Sequence, residues 1–381
     1  MSRIDLTTNN SELTLQEIEW QIFVEKDIPL TVFLSILSVI GTLENFMVIL
    51  TVGRRGRWPN YRILIQCLAV ADLFSCALSI PGYVVLSRFR YTIESDVFCR
   101  CTTMFHIFVG AYSVDLLCFI SIERFRKTCR PFAKQFSITH TKIVSACLAV
   151  FDLGLATLGL FTFSAQPIMV GKLTGHCCRI IKEGTFAKIF SQTLSLFLFL
   201  KIVVCTILYI IIGRTILMHR KHIPMIASFK HQSSRNMNPH GDQENNKDRE
   251  LNGANGCNTQ RISTKSVTSY ELSTLSQSNG SNRQQRSTLK GKALYTKSAQ
   301  ISFMFLMCTC LSFLSFVPVL AIRCIGSFDW QLRVDLFEFL GPMAGIVYRL
   351  HVLNHVINPI VYCLTNSNFR RDCTNLFKCR A

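Results

Sequence analysis

The sequence predicts an all-α protein, a seven-transmembrane helix bundle with its N-terminus outside and a short cytoplasmic amphipathic helix near its end. Three observations predict it. Of 381 residues, 49% are hydrophobic and only 17% are charged, too few charges for an ordinary water-facing surface. Seven apolar runs reach about 20 residues, the length that crosses a hydrocarbon core of about 30 Å. The formal charge of +18, from 41 Lys and Arg against 23 Asp and Glu, is distributed unevenly among the connections between those runs. A charge of that size is also compatible with nucleic-acid binding, so its placement decides.

In chain order, residues 1–27 form an extracellular tail, acidic because Arg3 and Lys26 face Asp5, Glu12, Glu17, Glu19, Glu25 and Asp27. Met1-Ser2-Arg3 begins no cleavable signal pattern, and the first apolar run is long enough to stay as a signal anchor. The runs are Ile28–Val52, Ile63–Leu86, Phe98–Ile122, Ile143–Ala165, Ile189–Gly213, Ala299–Ile322 and Leu336–Leu364. Residues 28–218 thus hold five helices and 298–364 hold two. Between them, 219–297 is rich in Asn, Ser, Gln and Thr and poor in aromatics, so it predicts a disordered third cytoplasmic loop. Residues 365–381 form the amphipathic helix and tail.

Charge fixes the direction. Arg54, Arg55, Arg57 and Arg62 follow the first run with no acid among them. Arg124, Arg126, Lys127, Arg130, Lys134 and Lys142 lie on the same side, as do Arg370, Arg371, Lys378 and Arg380. Insertion retains Lys and Arg in the cytoplasm, so the C-terminus of this multi-pass protein is inside. Basic residues divided in this way exclude a nucleic-acid binder. Asn9 in Asn9-Asn10-Ser11 is an outer glycosylation acceptor, whereas Asn279-Gly280-Ser281 lies inside and is not.

The runs contain ionisable side chains that cost free energy in hydrocarbon: Glu44, Asp72, His106, Asp115, Asp152, Lys201, Arg349, His351 and His355. Together they imply a polar interior. Most of the seventeen cysteines lie in apolar runs as small hydrophobes, and no paired CxxC pattern marks a zinc site. His351 and His355 are four apart on one helical face, but no acid lies between them as in a zinc hydrolase. No catalytic constellation is present, so the sequence predicts no enzyme.

The local motifs are more specific. Glu123-Arg124-Phe125 closes the third run, Leu68-Ala69-Val70-Ala71-Asp72-Leu73 lies in the second and Asn358-Pro359-Ile360-Val361-Tyr362 in the seventh. This set, with Asn45 in the first run, Pro318 in the sixth and Phe369 after Tyr362, resembles that of rhodopsin-like (class A) G-protein-coupled receptors. The resemblance covers everything except the tail and the third loop. It implies a receptor that responds to an extracellular ligand and activates a heterotrimeric G protein, with arrestin and receptor kinases as further partners and the lipid bilayer as solvent.

The resemblance also implies roles. Arg124 pairs with Glu123 at rest and turns towards Tyr209, Tyr362 and the G protein on activation, while Asn358 and Pro359 shape a kink. Asp72, Ser113, Asn354 and Asn358 are similar to the family's sodium pocket, the one metal the sequence implies and its only cofactor; a protonated Asp72 in a neutral network is the alternative. Phe316 and Pro318 form the switch of the sixth helix. Cys99 forms a disulfide with Cys177 or Cys178, and Cys373 and Cys379 are palmitoylation sites. Ser263, Thr264, Ser266, Thr268 and Ser269 are kinase sites. Ser298 stands where some relatives have an acid that locks Arg124, which predicts basal activity.

Departures accompany these likenesses. The tryptophan of the fourth run is absent, Phe316 replaces that of the sixth, Phe125 replaces the tyrosine after the arginine, and Lys201 stands eight residues before Tyr209 in place of proline. Lys201 either pairs with Asp115, with Asp152 contributing, or projects into the ligand cavity. His106 stands where aminergic receptors carry their aspartate and Val352 where opsins carry the retinal lysine, which disfavours both. Pro81, the run Arg126–Phe132 and the long loop resemble receptors for cholecystokinin, orexin and related neuropeptides, which implies a peptide ligand. Tyr83, His106, Arg323 and Tyr348 are the candidate ligand-binding residues. The alternative class is a seven-helix transporter or ion-translocating protein, whose mark would be internal repeats, and none is visible.

Overall fold

The computed structural model describes residues 13–53, 60–181, 185–235 and 269–378, with side chains described for all of these except 219–235, 269–297, 330, 377 and 378. Asn9, Cys379, Arg54, Arg55, Arg57 and the serines and threonines from Ser263 to Thr268 lie outside the described residues or side chains.

Helix α1 runs over Leu15–Gly53, so it begins well before the predicted Ile28. The cause is a capping box. Thr14 Oγ1 accepts from the Glu17 N–H at 3.4 Å, and the Thr14 N–H donates to Glu17 Oε2 at 2.8 Å, which satisfies donors that would otherwise be orphaned at a helix start. Helix α2 spans Asn60–Arg88. Both α1 and α2 contain one wide π turn, Phe23–Asp27 and Ser75–Ser79, each followed two residues later by a proline, Pro29 or Pro81. Proline supplies no N–H, and the widened turn absorbs the interruption.

Helix α3, Asp96–Cys129, is capped by Ser95, which accepts from the Phe98 N–H at 3.2 Å. Arg126 and Lys127 in its last turn complement the negative end of the helix dipole. Helix α4, Ile138–Phe161, is capped by Ser137. It ends in a 3-10 turn short of the predicted Ala165, because Phe163–Val170 is a strand, β1, paired antiparallel with β2, Leu173–Ile180. Gly171, at φ 62°, makes the hairpin turn, a conformation that favours glycine.

Helices α5, Thr185–Arg235, and α6, Ser269–Phe328, are longer than their apolar runs. Their membrane-crossing parts are Thr185–Met218 and Ser298–Phe328. The expectation of disorder over 219–297 is corrected at its flanks, where 219–235 and 269–297 are helical. Once a helix is nucleated, each added residue gains a hydrogen bond, so propagation past the apolar run is cheap. Residues 236–268 lie outside the described residues.

The seventh apolar run is also revised. Leu336–Leu340 belongs to a separate helix, α7, Trp330–Leu340, which Asp329 caps by accepting from the Leu332 N–H at 3.0 Å. Gly341, at φ 52°, and Pro342 end it, and the chain bends by 114° into α8, Met343–Thr365. Asn366 then caps α9, Ser367–Lys378, its Oδ1 accepting from the N–H groups of Asn368 and Phe369. Phe369 is buried and Arg370 and Arg371 are exposed, as an amphipathic helix on a membrane surface requires.

The chain divides into two units, Met1–Gly213 with Gln300–Ala381, and Arg214–Ala299. The first is the bundle. Its interior holds Leu64, Leu68, Leu116, Leu117 and Ile120, essentially without exposure, while Val150, Leu314 and Leu364 are 72%, 66% and 73% exposed on its outside. So much apolar exposure fits lipid rather than water as the surrounding medium.

Candidate functional site

Candidate functional side chains occupy three levels of the bundle. At the cytoplasmic level, Glu123 and Arg124 are both 1% exposed and ion-paired. Lys127, one turn on, adds a second contact, its Nζ lying 2.6 Å from Glu123 Oε1. The Arg124 guanidinium is 5.7 Å from the ring centres of Tyr61 and Phe305, close enough for cation–π attraction. Phe305 meets Tyr362 edge-on at 6.5 Å, and Tyr362 meets Phe369 at 5.8 Å, so an aromatic series links α6, α8 and α9. The Tyr209 hydroxyl accepts from Thr309 Oγ1 at 3.3 Å. Sequence reasoning missed one further contact, a 3.1 Å hydrogen bond between Thr128 Oγ1 on α3 and Ser302 Oγ on α6, both buried.

At the middle level, Asp72 has no exposure. Its Oδ1 accepts from Ser113 Oγ at 3.1 Å and its Oδ2 from Asn358 Nδ2 at 2.9 Å. Asn354 Nδ2 donates to Ser113 Oγ at 2.9 Å. The four residues predicted to gather there are together, but a fifth joins them. His355 Nδ1 lies 2.7 Å from Asp72 Oδ1. An imidazole nitrogen on the carboxylate does not fit a hard cation, which takes oxygen donors. One turn outward, Phe316 stacks on His351 at 5.8 Å within a core that includes Val114, Cys205 and Val319. Pro318 lies within α6 beside it.

At the outer level the bundle opens into a cavity that all four candidate ligand residues line. Tyr83 meets His106 edge-on at 4.6 Å. His106 Nδ1 is 2.9 Å from Ser79 Oγ, and its Nε2 is 3.3 Å from His351 Nε2. Arg349 lies 3.7 Å from the Tyr83 ring centre, and Arg323 Nη1 donates to Ser195 Oγ at 3.1 Å. Tyr348 contacts Phe337 of α7. Arg90 and Arg333 also line the cavity, and among the described residues no Asp or Glu does. Lys201 Nζ is 2.6 Å from Asp115 Oδ1, and the side chain lines a second cavity that shares His106, Arg323 and His351 with the first.

The cavity has a constructed roof. Cys99 is bonded to Cys178, not Cys177, and this ties β2 to α3. The neighbouring Cys177 thiol is pushed above its ordinary range by burial. Glu19 of α1 accepts from the N–H groups of Tyr91 and Thr92 at 2.6 and 3.1 Å and from Thr92 Oγ1 at 2.9 Å. Asp27 binds Arg90 at 2.7 Å. At the other end, Cys373 is half-buried with Sγ 3.6 Å from Thr51 Oγ1, so it faces α1.

Of the residues that sequence reasoning did not assign to a site, Arg349, His351 and His355 carried a signal, because an ionisable group inside an apolar run requires a reason. Ser195, Ser302 and Phe337 carried none.

The profile of the family described as 7 transmembrane receptor (rhodopsin family) matches residues 44–362. The cholecystokinin receptor type A of Cavia porcellus is 25% identical, covering 95% of this chain and 82% of its own, and that of Homo sapiens is 23% identical with the same coverage. The alpha-1A adrenergic receptor of Homo sapiens is 25% identical over 93% of this chain and 69% of its own. Squid rhodopsin superposes with a TM-score of 0.61 at 14% identity, covering 97% of this chain and 87% of that one.

Proposed function

This chain belongs to the rhodopsin family of seven-transmembrane receptors, and from that premise we propose that it binds an extracellular peptide in the outer cavity and activates a heterotrimeric G protein from the plasma membrane. The observation that supports this most is the pairing of an open, cation-lined cavity at one end with a closed Glu123–Arg124 pair at the other. Receptor action is a coupling between two such sites through two helix arrangements.

The cavity also defines the ligand's chemistry. Arg323 and Arg349 face it with no lining acid among the described residues, and a buried positive field favours ligands that carry carboxylate or sulfate groups. The relatives named cholecystokinin receptors point to a peptide. On binding, the contacts of Arg349 with Tyr83 and of His106 with His351 rearrange, Phe316 follows His351, and the inner end of α6 leaves α3. Thr128–Ser302 then parts, and Arg124 becomes available to the G protein. Arrestin and receptor kinases act on the cytoplasmic face thereafter.

A library of acidic and neutral neuropeptides applied to membranes carrying the receptor, read by guanine-nucleotide exchange, tests the reading. An acidic peptide that promotes exchange in the natural chain and not in Arg124→Ala, at equal surface expression, is the expected result. Exchange that is insensitive to Arg124→Ala would overturn it.

A further inference from the structure

The Asp72 carboxylate has no exposure, and three protein groups lie against it. Ser113 and His355 serve Oδ1 at 3.1 and 2.7 Å, and Asn358 serves Oδ2 at 2.9 Å. Two bare lone pairs cannot face each other at 2.7 Å, so one hydrogen lies between His355 Nδ1 and Asp72 Oδ1, whichever atom carries it. A cation at that oxygen needs the lone pair the hydrogen occupies. It would also meet the positive end of the bond.

His355 is held in that position. It is 1% exposed, and its carbonyl accepts from Asn45 Nδ2 at 2.9 Å and from Cys76 Sγ at 3.9 Å. Moving the ring out would strip buried Asp72 of its shortest partner and leave it only Ser113 and Asn358, and removing one partner of a buried polar group is destabilising. In the pocket that the sequence resemblance implies, an ion from solution compensates this carboxylate. Here a tethered side chain occupies that oxygen.

We propose that His355 takes the place of the sodium ion at Asp72, so that the conformational equilibrium of this receptor is insensitive to sodium and the tie between α2 and α8 is an imidazole–carboxylate hydrogen bond. An ion shifts an equilibrium only by its differential affinity for the two states. A pocket closed to sodium gives it none. The amide oxygens of Asn45, Asn354 and Asn358 accept no hydrogen bond from the protein, so the oxygen donors that a cation would use remain once the ring is removed.

The test uses the full chain, purified without ligand, so its result is separate from the ligand reading above. Thermal unfolding is followed in sodium chloride and in choline chloride at equal ionic strength, and sodium NMR line width is measured on the same samples. The natural chain is expected to melt at the same temperature in both salts and to leave the line width unchanged. His355→Ser is expected to melt several degrees higher in sodium than in choline, and His355→Ser with Asp72→Asn to lose that difference. A sodium-specific rise in the natural chain that Asp72→Asn abolishes would overturn the proposal, as would a folded His355→Ser with no sodium response. Where His355→Ser does not fold, His355→Asn takes its place and the line width of the natural chain decides.

Discussion

Lys201 on α5 and Asp115 on α3 form an ion pair at 2.6 Å inside the membrane-spanning bundle, and the lysine side chain remains 26% exposed. Asp152, buried on α4, is within electrostatic reach of both. Three helices thus share one positive charge, at the place where proline would otherwise shape α5. Either single neutralisation, Lys201→Met or Asp115→Asn, should cost about 2–3 kcal/mol, at or below the lower end of the roughly 3–5 kcal/mol for breaking a buried pair because the lysine is partly solvated. Surface expression and unfolding temperature should both fall. Exchange of the two charges, Lys201→Asp with Asp115→Lys, should recover at least half of the loss, and failure to recover any would remove the pair as the cause.

The cytoplasmic clasp has two parts of different kinds. Glu123 holds Arg124 by charge, and Thr128 holds Ser302 by a neutral hydrogen bond. Losing one such hydrogen bond shifts the helix equilibrium by about 1 kcal/mol, roughly fivefold. Ser302→Ala should therefore raise unliganded nucleotide exchange about fivefold, and Glu123→Gln should raise it more. Basal exchange that is equal in the natural chain and both variants would show that neither contact restrains the resting state.

Cys178 carries the outer disulfide and Cys177 does not. Cys178→Ser should abolish ligand response and most surface expression, while Cys177→Ser should retain both. Burial raises the Cys177 thiol, and a raised thiol holds less thiolate at any given pH below it. Alkylation of intact cells by a membrane-impermeant maleimide should be slow at neutral pH and accelerate as pH rises. Rapid neutral labelling that Cys177→Ser removes would contradict this.

Arg349 on Tyr83 and Arg323 on Ser195 present the cavity's positive charge. For an activating acidic peptide, Arg323→Ala or Arg349→Ala should lower potency by a factor of about thirty or more, since losing one partner of a desolvated charge pair costs about 2–5 kcal/mol. Neutralising the peptide's acid should abolish the difference between natural chain and variant. Equal losses for acidic and neutralised peptides would show that the arginines act through packing.

Hydrophobic run length located the membrane helices, and the charge of their connections fixed their direction, because both are properties of contiguous sequence. The Thr14…Glu17 box was equally local, but it lay in an acidic tail where no apolar run extended the helix. The strand from Phe163 was hidden because Leu158–Ala165 stays apolar across the change from helix to hairpin, and only pairing with Leu173–Ile180 distinguishes them. Among site residues, Asp72, Ser113, Asn354 and Asn358 were legible as a motif set. His355 as their partner was not, because its ring direction depends on the 3-10 turn at Leu350–Leu353 and on how α8 crosses α2. The choice between Cys177 and Cys178 depended on strand register in the same way.

The wide turn at Ser75–Ser79 sets an angle as well as accommodating Pro81. Each residue advances an α-helix by roughly 100°, so the one extra residue that a π turn stores rotates everything outward of it relative to everything inward. Asp72 lies on the inward side and Tyr83 on the outward side. The azimuth that aims Asp72 at His355 and the azimuth that aims Tyr83 at His106 are therefore set separately, with this turn as the offset between them. Deleting a single residue from Ser75–Ser79 would return the helix to regular winding and leave one of the two side chains directed away from its partner.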